Sequence, residues 1–217
     1  TEDLTQFINQ IVRQQQHDEL FIIAHSMGCT IASDYINQHP NTFTAAVFSA
    51  PMFGIRLPFT KPIIRWLAQK LDNNRLEANK VHSTFVIGGT HYKPDSFKRN
   101  RLTHSQKRYK HYRNIFEETT KAQLGSPTNH WLLEAMDAAE KCIDYAKHSQ
   151  TPILILQAEK DTIVCNEAQN QALSTHCHKV IIEGAYHEVF IEKDTMRNIA
   201  LSHTIDFMAQ HSKIAVS

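Results

Sequence analysis

The chain has 217 residues, a net charge of +1, 41% hydrophobic and 21% charged side chains, which suits one globular core with room for a small inserted lobe. The near-neutral charge gives no general basis for nucleic-acid binding, and no apolar run reaches the roughly 18 residues that a membrane span needs. The cysteines, Cys29, Cys142, Cys165 and Cys177, are scattered without a Cys-x-x-Cys pair, so a reducing, cytoplasmic setting is expected rather than a disulfide framework.

Leu4, Phe7, Ile8, Ile11 and Val12 recur at helical spacing and predict an amphipathic helix over 3–16. A strand is predicted over 19–25 and a helix over 27–38, ended by His39-Pro40. A second strand follows at 43–49. Residues 152–157, Pro-Ile-Leu-Ile-Leu-Gln, form a third strand, whose unbroken apolar run suits burial on both faces. Helix 165–174, strand 179–183 and helix 194–209 complete the pattern. Alternating strands and helices predict a parallel, doubly wound α/β sheet with helices on both faces. Residues 51–150 break the rhythm with prolines and helical patterns near 61–71, 103–122 and 129–147. They are expected to form a helical cap inserted between core segments 1–50 and 151–217.

The chemistry is concentrated at Ala24-His25-Ser26-Met27-Gly28. A strand runs into a serine and straight into a helix, the layout of a nucleophile elbow. The sharp turn demands small residues two before and two after the serine, and Ala24 replaces the more usual glycine there. A serine nucleophile needs a base and an acid to orient that base. Strand order places the acid after a late strand and the histidine after the last strand. Asp161 and His187 occupy those positions, with Glu159 as an alternative acid. His25 is expected to point away from the serine, into packing or hydrogen bonding. His176-Cys177-His178 has no further ligands at a productive spacing and reads as a turn before the last strand. Gly88-Gly89 reads as a turn as well. No cofactor or metal is expected.

Residues 93–113 are rich in Lys and Arg, with Asp95 the only acid and Tyr92, Phe97, Tyr109 and Tyr112 interleaved. The segment is either a solvated helix face or a surface that meets anionic lipid head groups, through residues such as Lys107, Arg108 and Lys110. The apolar residues Ile63, Ile64, Trp66 and Leu67 either fill the cap core or line an acyl path.

The sequence resembles bacterial lysophospholipases associated with the inner membrane, relatives of monoacylglycerol lipases in the α/β-hydrolase superfamily. The elbow carries this resemblance together with Ala50-Pro51-Met52-Phe53-Gly54-Ile55 and, in the cap, Leu102-Thr103-His104-Ser105 with Arg108-Tyr109. Gly125-Ser126-Pro127-Thr128 with His130-Trp131, Leu156-Gln157-Ala158-Glu159 and Gly184-Ala185-Tyr186-His187-Glu188 with Glu192-Lys193-Asp194 add to it. The resemblance implies an α/β-hydrolase fold and cleavage, or transfer, of the acyl group of a lysophospholipid at a peripheral membrane site. It assigns Ser26 as nucleophile, Asp161 as acid, His187 as base and the Met27 N–H as one oxyanion donor. A monoacylglycerol lipase, a general carboxylesterase and a catalytically incomplete lipid-binding module are the competing readings. The superfamily's His-Gly motif, which supplies the second oxyanion donor, does not occur in this chain. The chain is therefore expected to be the C-terminal portion of a larger enzyme, with the early strands of the fold upstream of it.

Overall fold

Among the described residues, four short parallel strands occupy the centre of the structure: β1 (Phe21–His25), β2 (Ala45–Ser49), β3 (Ile153–Ala158) and β4 (Cys177–Ile182), side by side in chain order. The computed structural model describes residues 1–77 and 84–213. Phe21 pairs with Ala45, Val47 with Leu154, and Ile155 with Lys179. Every residue of β2 and β3 is buried, as their continuous apolar sequences require of strands covered on both faces.

Side-chain alternation divides these strands between two cores. Ala46, Phe48, Ile153 and Ile155 join Ile8 of helix α1 (Glu2–Gln10) and Tyr35 and Ile36 of helix α2 (Met27–Gln38). Ala45, Val47, Leu154 and Leu156 face Ala200 and Phe207 of the closing helix (Asp194–His211). Full burial of such a side chain contributes about 1.5–3 kcal/mol, so a one-residue slip of β3 would forfeit several of these at once.

The helices between β2 and β3 are α3 (Lys61–Glu77), α4 (Gln106–Glu118) and α5 (Asn129–Lys147). Helix α6 (Asn166–Gln171) lies between β3 and β4, and the closing helix is α7. The cap expected over 51–150 does not stand wholly apart from the sheet. Cys142 and Ala146 of α5 belong to the core that packs on β2 and β3, and the Cys142 thiol meets the carbonyl of Thr30 in α2. Helix α3 is tied to α5 by Arg65–Asp137 and Lys61–Glu140.

Several predicted boundaries move for identifiable reasons. The first helix stops at Gln10: the Ile11 N–H still donates to Phe7 O, but beyond it Val12–Gln14 tighten into a 3₁₀ turn and Gln15 is extended. The glutamines that follow have no apolar side chain with which to extend the buried stripe. Strand β4 begins at Cys177, not Lys179. The Ser174 hydroxyl accepts the N–H groups of His176 and Cys177, which closes the turn earlier and frees Cys177 and His178 to pair with Ile153 and Leu154. Helix α4 starts at Gln106 because Ser105 caps it, and Thr120–Ala122 form a separate 3₁₀ turn. Helix α6 is shorter at both ends than the predicted 165–174. The turn expected at Gly88-Gly89 is present, with φ of 80° at Gly88.

Candidate active site

Ser26 links β1 to α2 with φ 50° and ψ −118°, a conformation that L-residues adopt only under constraint. Backbone bonds hold it there. Its N–H donates to Ser49 O (3.0 Å), and its carbonyl accepts from Met52 N–H (3.1 Å). Thr30 Oγ in turn donates to Met52 O (2.9 Å), so the 50–55 loop braces the elbow. The crowding expected at Ala24 is mild: a Cβ built on Gly28 would lie 3.9 Å from that of Ala24, an ordinary contact. In the same loop a Cβ on Gly54 would fall 2.8 Å from Ala168 Cβ, and the Gly54 carbonyl accepts from Cys165 N–H (2.9 Å). That close approach docks α6 beneath the site.

The structure brings Ser26, His187 and Asp161 together from three separate loops. Ser26 Oγ–H donates to His187 Nε2 (3.0 Å), and His187 Nδ1–H donates to Asp161 Oδ2 (2.7 Å). The Asp161 side chain is fully buried, and its other oxygen accepts from Ile163 N–H (2.7 Å) and Val164 N–H (3.0 Å). Burial alone would raise the Asp161 carboxyl pKa. His187 and the two amides outweigh burial and hold it below the ordinary value. An ionised Asp161 fixes the proton on Nδ1 and leaves the Nε2 lone pair facing the serine. Glu159, the alternative acid, is engaged elsewhere, accepting from Gly184 N–H (2.7 Å). The three buried thiols, Cys29, Cys142 and Cys177, are poor competitors for the nucleophile's role. Burial pushes Cys142 and Cys177 up to about 12, and Cys29, three residues beyond Ser26, rises well above its usual value. The Met27 N–H opens α2, where first-turn amides have no intrahelical acceptor and the helix dipole favours negative charge.

Three residues at the site were not legible as such in the sequence. The packing and hydrogen bonding expected of His25 are present, but against the base itself: its ring centroid lies 4.7 Å from that of His187. His25 also pairs with Glu188 (3.3 Å) and contacts Ser49 Oγ (3.4 Å). Burial works against ionisation of Glu188, yet His25 and then His187 outweigh it and lower its pKa. Glu192 is the third. Its side chain is fully buried and accepts from the N–H groups of Tyr186, His104 and Lys193 and from His104 Nδ1 (2.8–3.0 Å). Thr103 Oγ donates to Ile191 O (2.7 Å) and Glu188 N–H to Leu102 O (2.9 Å). The Leu102–Ser105 motif thus ties the cap to the loop that carries His187.

Of the basic residues on α4, Lys107 and Lys110 are exposed. Arg108 is committed within the chain, to Glu192 O and the Asp194 carboxylate. On α3, Ile63 and Trp66 are exposed and so lie outside any cap core, while Ile64 and Leu67 are half-buried. Among the described residues no cluster of three or more His, Cys, Asp or Glu is placed to hold a metal ion, and no helix is long and apolar enough to cross a membrane.

Comparison with known proteins adds three findings. A family model described as serine aminopeptidase, S33 (Hydrolase_4) matches residues 1–194. The chain is 32% identical over 225 residues to lysophospholipase L2 of Escherichia coli K12, covering 97% of this chain and 64% of that protein. It is 29% identical over 211 residues to a protein named probable lysophospholipase L2 from Haemophilus influenzae, covering 95% and 65% respectively. The chain thus spans a little under two thirds of the length of these curated relatives. Its fold is similar to that of a Paleococcus ferrophilus monoacylglycerol lipase (TM-score 0.70, 19% identity, 97% of this chain and 76% of the other). It is also similar to a soluble variant of Saccharomyces cerevisiae monoglyceride lipase in complex with a substrate analogue (TM-score 0.71, 20% identity, 99% and 70%).

Proposed function

The chain belongs to the Hydrolase_4 family and has the α/β-hydrolase fold, and on that premise we propose that it acts as a serine hydrolase on the acyl ester of lysophospholipids. The single observation that carries the chemistry is the unbroken bonded path from Ser26 Oγ through His187 to Asp161. The likeness to the two lysophospholipases supports the substrate class.

In this reading His187 Nε2 takes the Ser26 proton as Oγ attacks the acyl carbonyl. The negative charge that develops on the carbonyl oxygen is met by the Met27 N–H at the positive end of α2. Collapse expels the glycerophosphodiester alkoxide, which takes the proton from His187 and departs as the alcohol. Water, deprotonated by the same histidine, then releases the fatty acid from Ser26. An alcohol entering in place of water would give acyl transfer. Asp161 stays ionised throughout and stabilises the imidazolium. Exposed Ile63 and Trp66 on α3, with Lys107 and Lys110 on α4, suit contact with an anionic membrane surface.

The test is hydrolysis of lysophosphatidylcholine by the natural full-length protein and its Ser26→Ala variant. A loss of about 10⁴-fold or more is expected; a variant that keeps its rate refutes the assignment. A wild type with no turnover at all would leave only a lipid-binding role. A wild type that prefers monoacylglycerol would favour the lipase reading suggested by the structural neighbours.

A further inference from the structure

Arg113 on α4 borders a cavity of about 450 Å³ whose lining also includes Tyr92, Lys93, Asp95, Tyr112 and Phe116. Its guanidinium lies over two rings, 5.3 Å from the centroid of Tyr92 and 5.9 Å from that of Tyr109. Those rings are themselves held in place. Tyr109 OH donates to Asp95 O (2.9 Å), Tyr92 stacks on Phe116, and Phe116 meets the edge of Tyr112. Within this frame Arg113 Nε and Nη2 are buried and have no hydrogen-bond acceptor among the described residues, and neither has the buried Tyr92 hydroxyl a partner among them.

Nε and Nη2 form the side-on edge of a guanidinium, the pair of parallel donors that grips a carboxylate or phosphate bidentately. Arg65 and Arg108 each have a carboxylate partner, whereas no carboxylate lies within ion-pair distance of Arg113 among the described residues. Desolvated donors without acceptors are costly, so a fork held this way is poised for an anion. Presenting it to the cavity requires a rotation about the flexible Arg113 stem, and an entering anion supplies the acceptors that the present position lacks. Lys93 adds a second positive charge on the cavity wall.

Helix α4, which carries Tyr112 and Arg113 of the cavity wall, is bonded through Arg108 to Glu192 O in the segment that follows His187. Burial raises the pKa of Tyr112, which lines the cavity, and the Glu188 carboxylate beside His187 raises it further. We propose that Arg113, with the Tyr92 hydroxyl, binds the phosphodiester of the lysophospholipid while the acyl ester lies at Ser26. This inference deepens the reading above and rests on it. It moves head-group recognition from the exposed basic face of α4 to a cation enclosed by aromatic rings.

The test compares kcat and KM of the full-length protein for 1-octanoyl lysophosphatidylcholine and 1-octanoylglycerol, soluble esters with the same acyl chain. In Arg113→Gln the ratio of kcat/KM for the phospholipid over the glyceride is expected to fall about tenfold or more, through KM. Arg113→Lys should recover part of it. Tyr92→Phe, which removes only the hydroxyl, should lower the ratio about two- to threefold and reads the same site if Arg113→Gln fails to fold. An unchanged ratio in folded variants overturns the proposal. Should the wild type hydrolyse neither ester, the proposed function fails and calorimetry with glycerophosphocholine reads the site alone. Binding by the wild type that Arg113→Gln loses supports the subsite, and equal or absent binding overturns it. Inorganic phosphate binding as tightly as the diester would overturn the assignment to a lipid head group.

Discussion

Glu192→Ala gives a prediction whose size follows from the contacts. The carboxylate is fully buried and satisfies the backbone N–H groups of Tyr186, His104 and Lys193 together with the His104 ring. Alanine would leave these donors without an acceptor, at about 1–3 kcal/mol for each that water cannot reach. Water entering the vacated space would offset part of this, so a net loss of about 3–5 kcal/mol is expected. A chain of this length shifts its melting temperature by about 2–4 °C per kcal/mol, which predicts a drop of roughly 6–20 °C. Urea unfolding followed by circular dichroism reads the loss directly. Burial raises the Glu192 carboxyl pKa, but the Tyr186 and His104 amides lower it further, so the folded pKa lies below the unfolded one. Its contribution is therefore fully present above about pH 4.3 and is lost as the pH falls through the folded value. The gap between wild type and Glu192→Gln should stay constant from pH 7 down to about pH 4.3 and narrow as the pH falls further. A Glu192→Ala loss below about 1 kcal/mol at pH 7 would refute the view that this carboxylate anchors the His187 loop to the cap.

Asp161→Asn should lower kcat by about 10⁴-fold with little change in KM, because the amide no longer fixes the productive tautomer of His187; a loss below about tenfold would contradict that role. Glu188→Gln removes a negative charge that interacts with His187 and pairs with His25. It should reduce kcat about five- to tenfold, measured on a soluble ester, while lysophospholipid and glyceride fall in parallel. Gly28→Ala, despite its place in the elbow pattern, should leave stability unchanged or raise it by up to about 1 kcal/mol in thermal melts, since the new methyl makes only an ordinary contact with Ala24 and alanine favours the helix. A loss above about 2 kcal/mol would show that glycine is required there for packing.

The elbow was legible because its signal is local: an apolar strand, a serine between small residues, and an immediate helix. Asp161 and His187 were legible from strand order. The choice between Asp161 and Glu159 was not, because both lie in one short loop and only the fold turns Asp161 to His187 and Glu159 to Gly184. The partners of His25 were not legible, because His187 and Glu188 lie more than 160 positions away and leave no periodic trace. Glu192 stood within a recognisable motif, yet nothing near it in sequence reveals that its partners include His104. The same limit applies to the basic stretch of α4. Arg108 and Arg113 look alike in sequence, but one finds Asp194 across the fold while the other sits between tyrosine rings. The first helix ended early because spacing records which face is apolar, not where the core it packs against stops.

The most direct measurement of the central claim is mass-spectrometric mapping of a fluorophosphonate adduct on the natural full-length protein. Such a probe reacts with a serine activated by a neighbouring base. The geometry predicts one stoichiometric adduct on Ser26, lost in His187→Gln. No adduct, an adduct on another residue, or labelling of Ser26 that survives loss of His187 would contradict it.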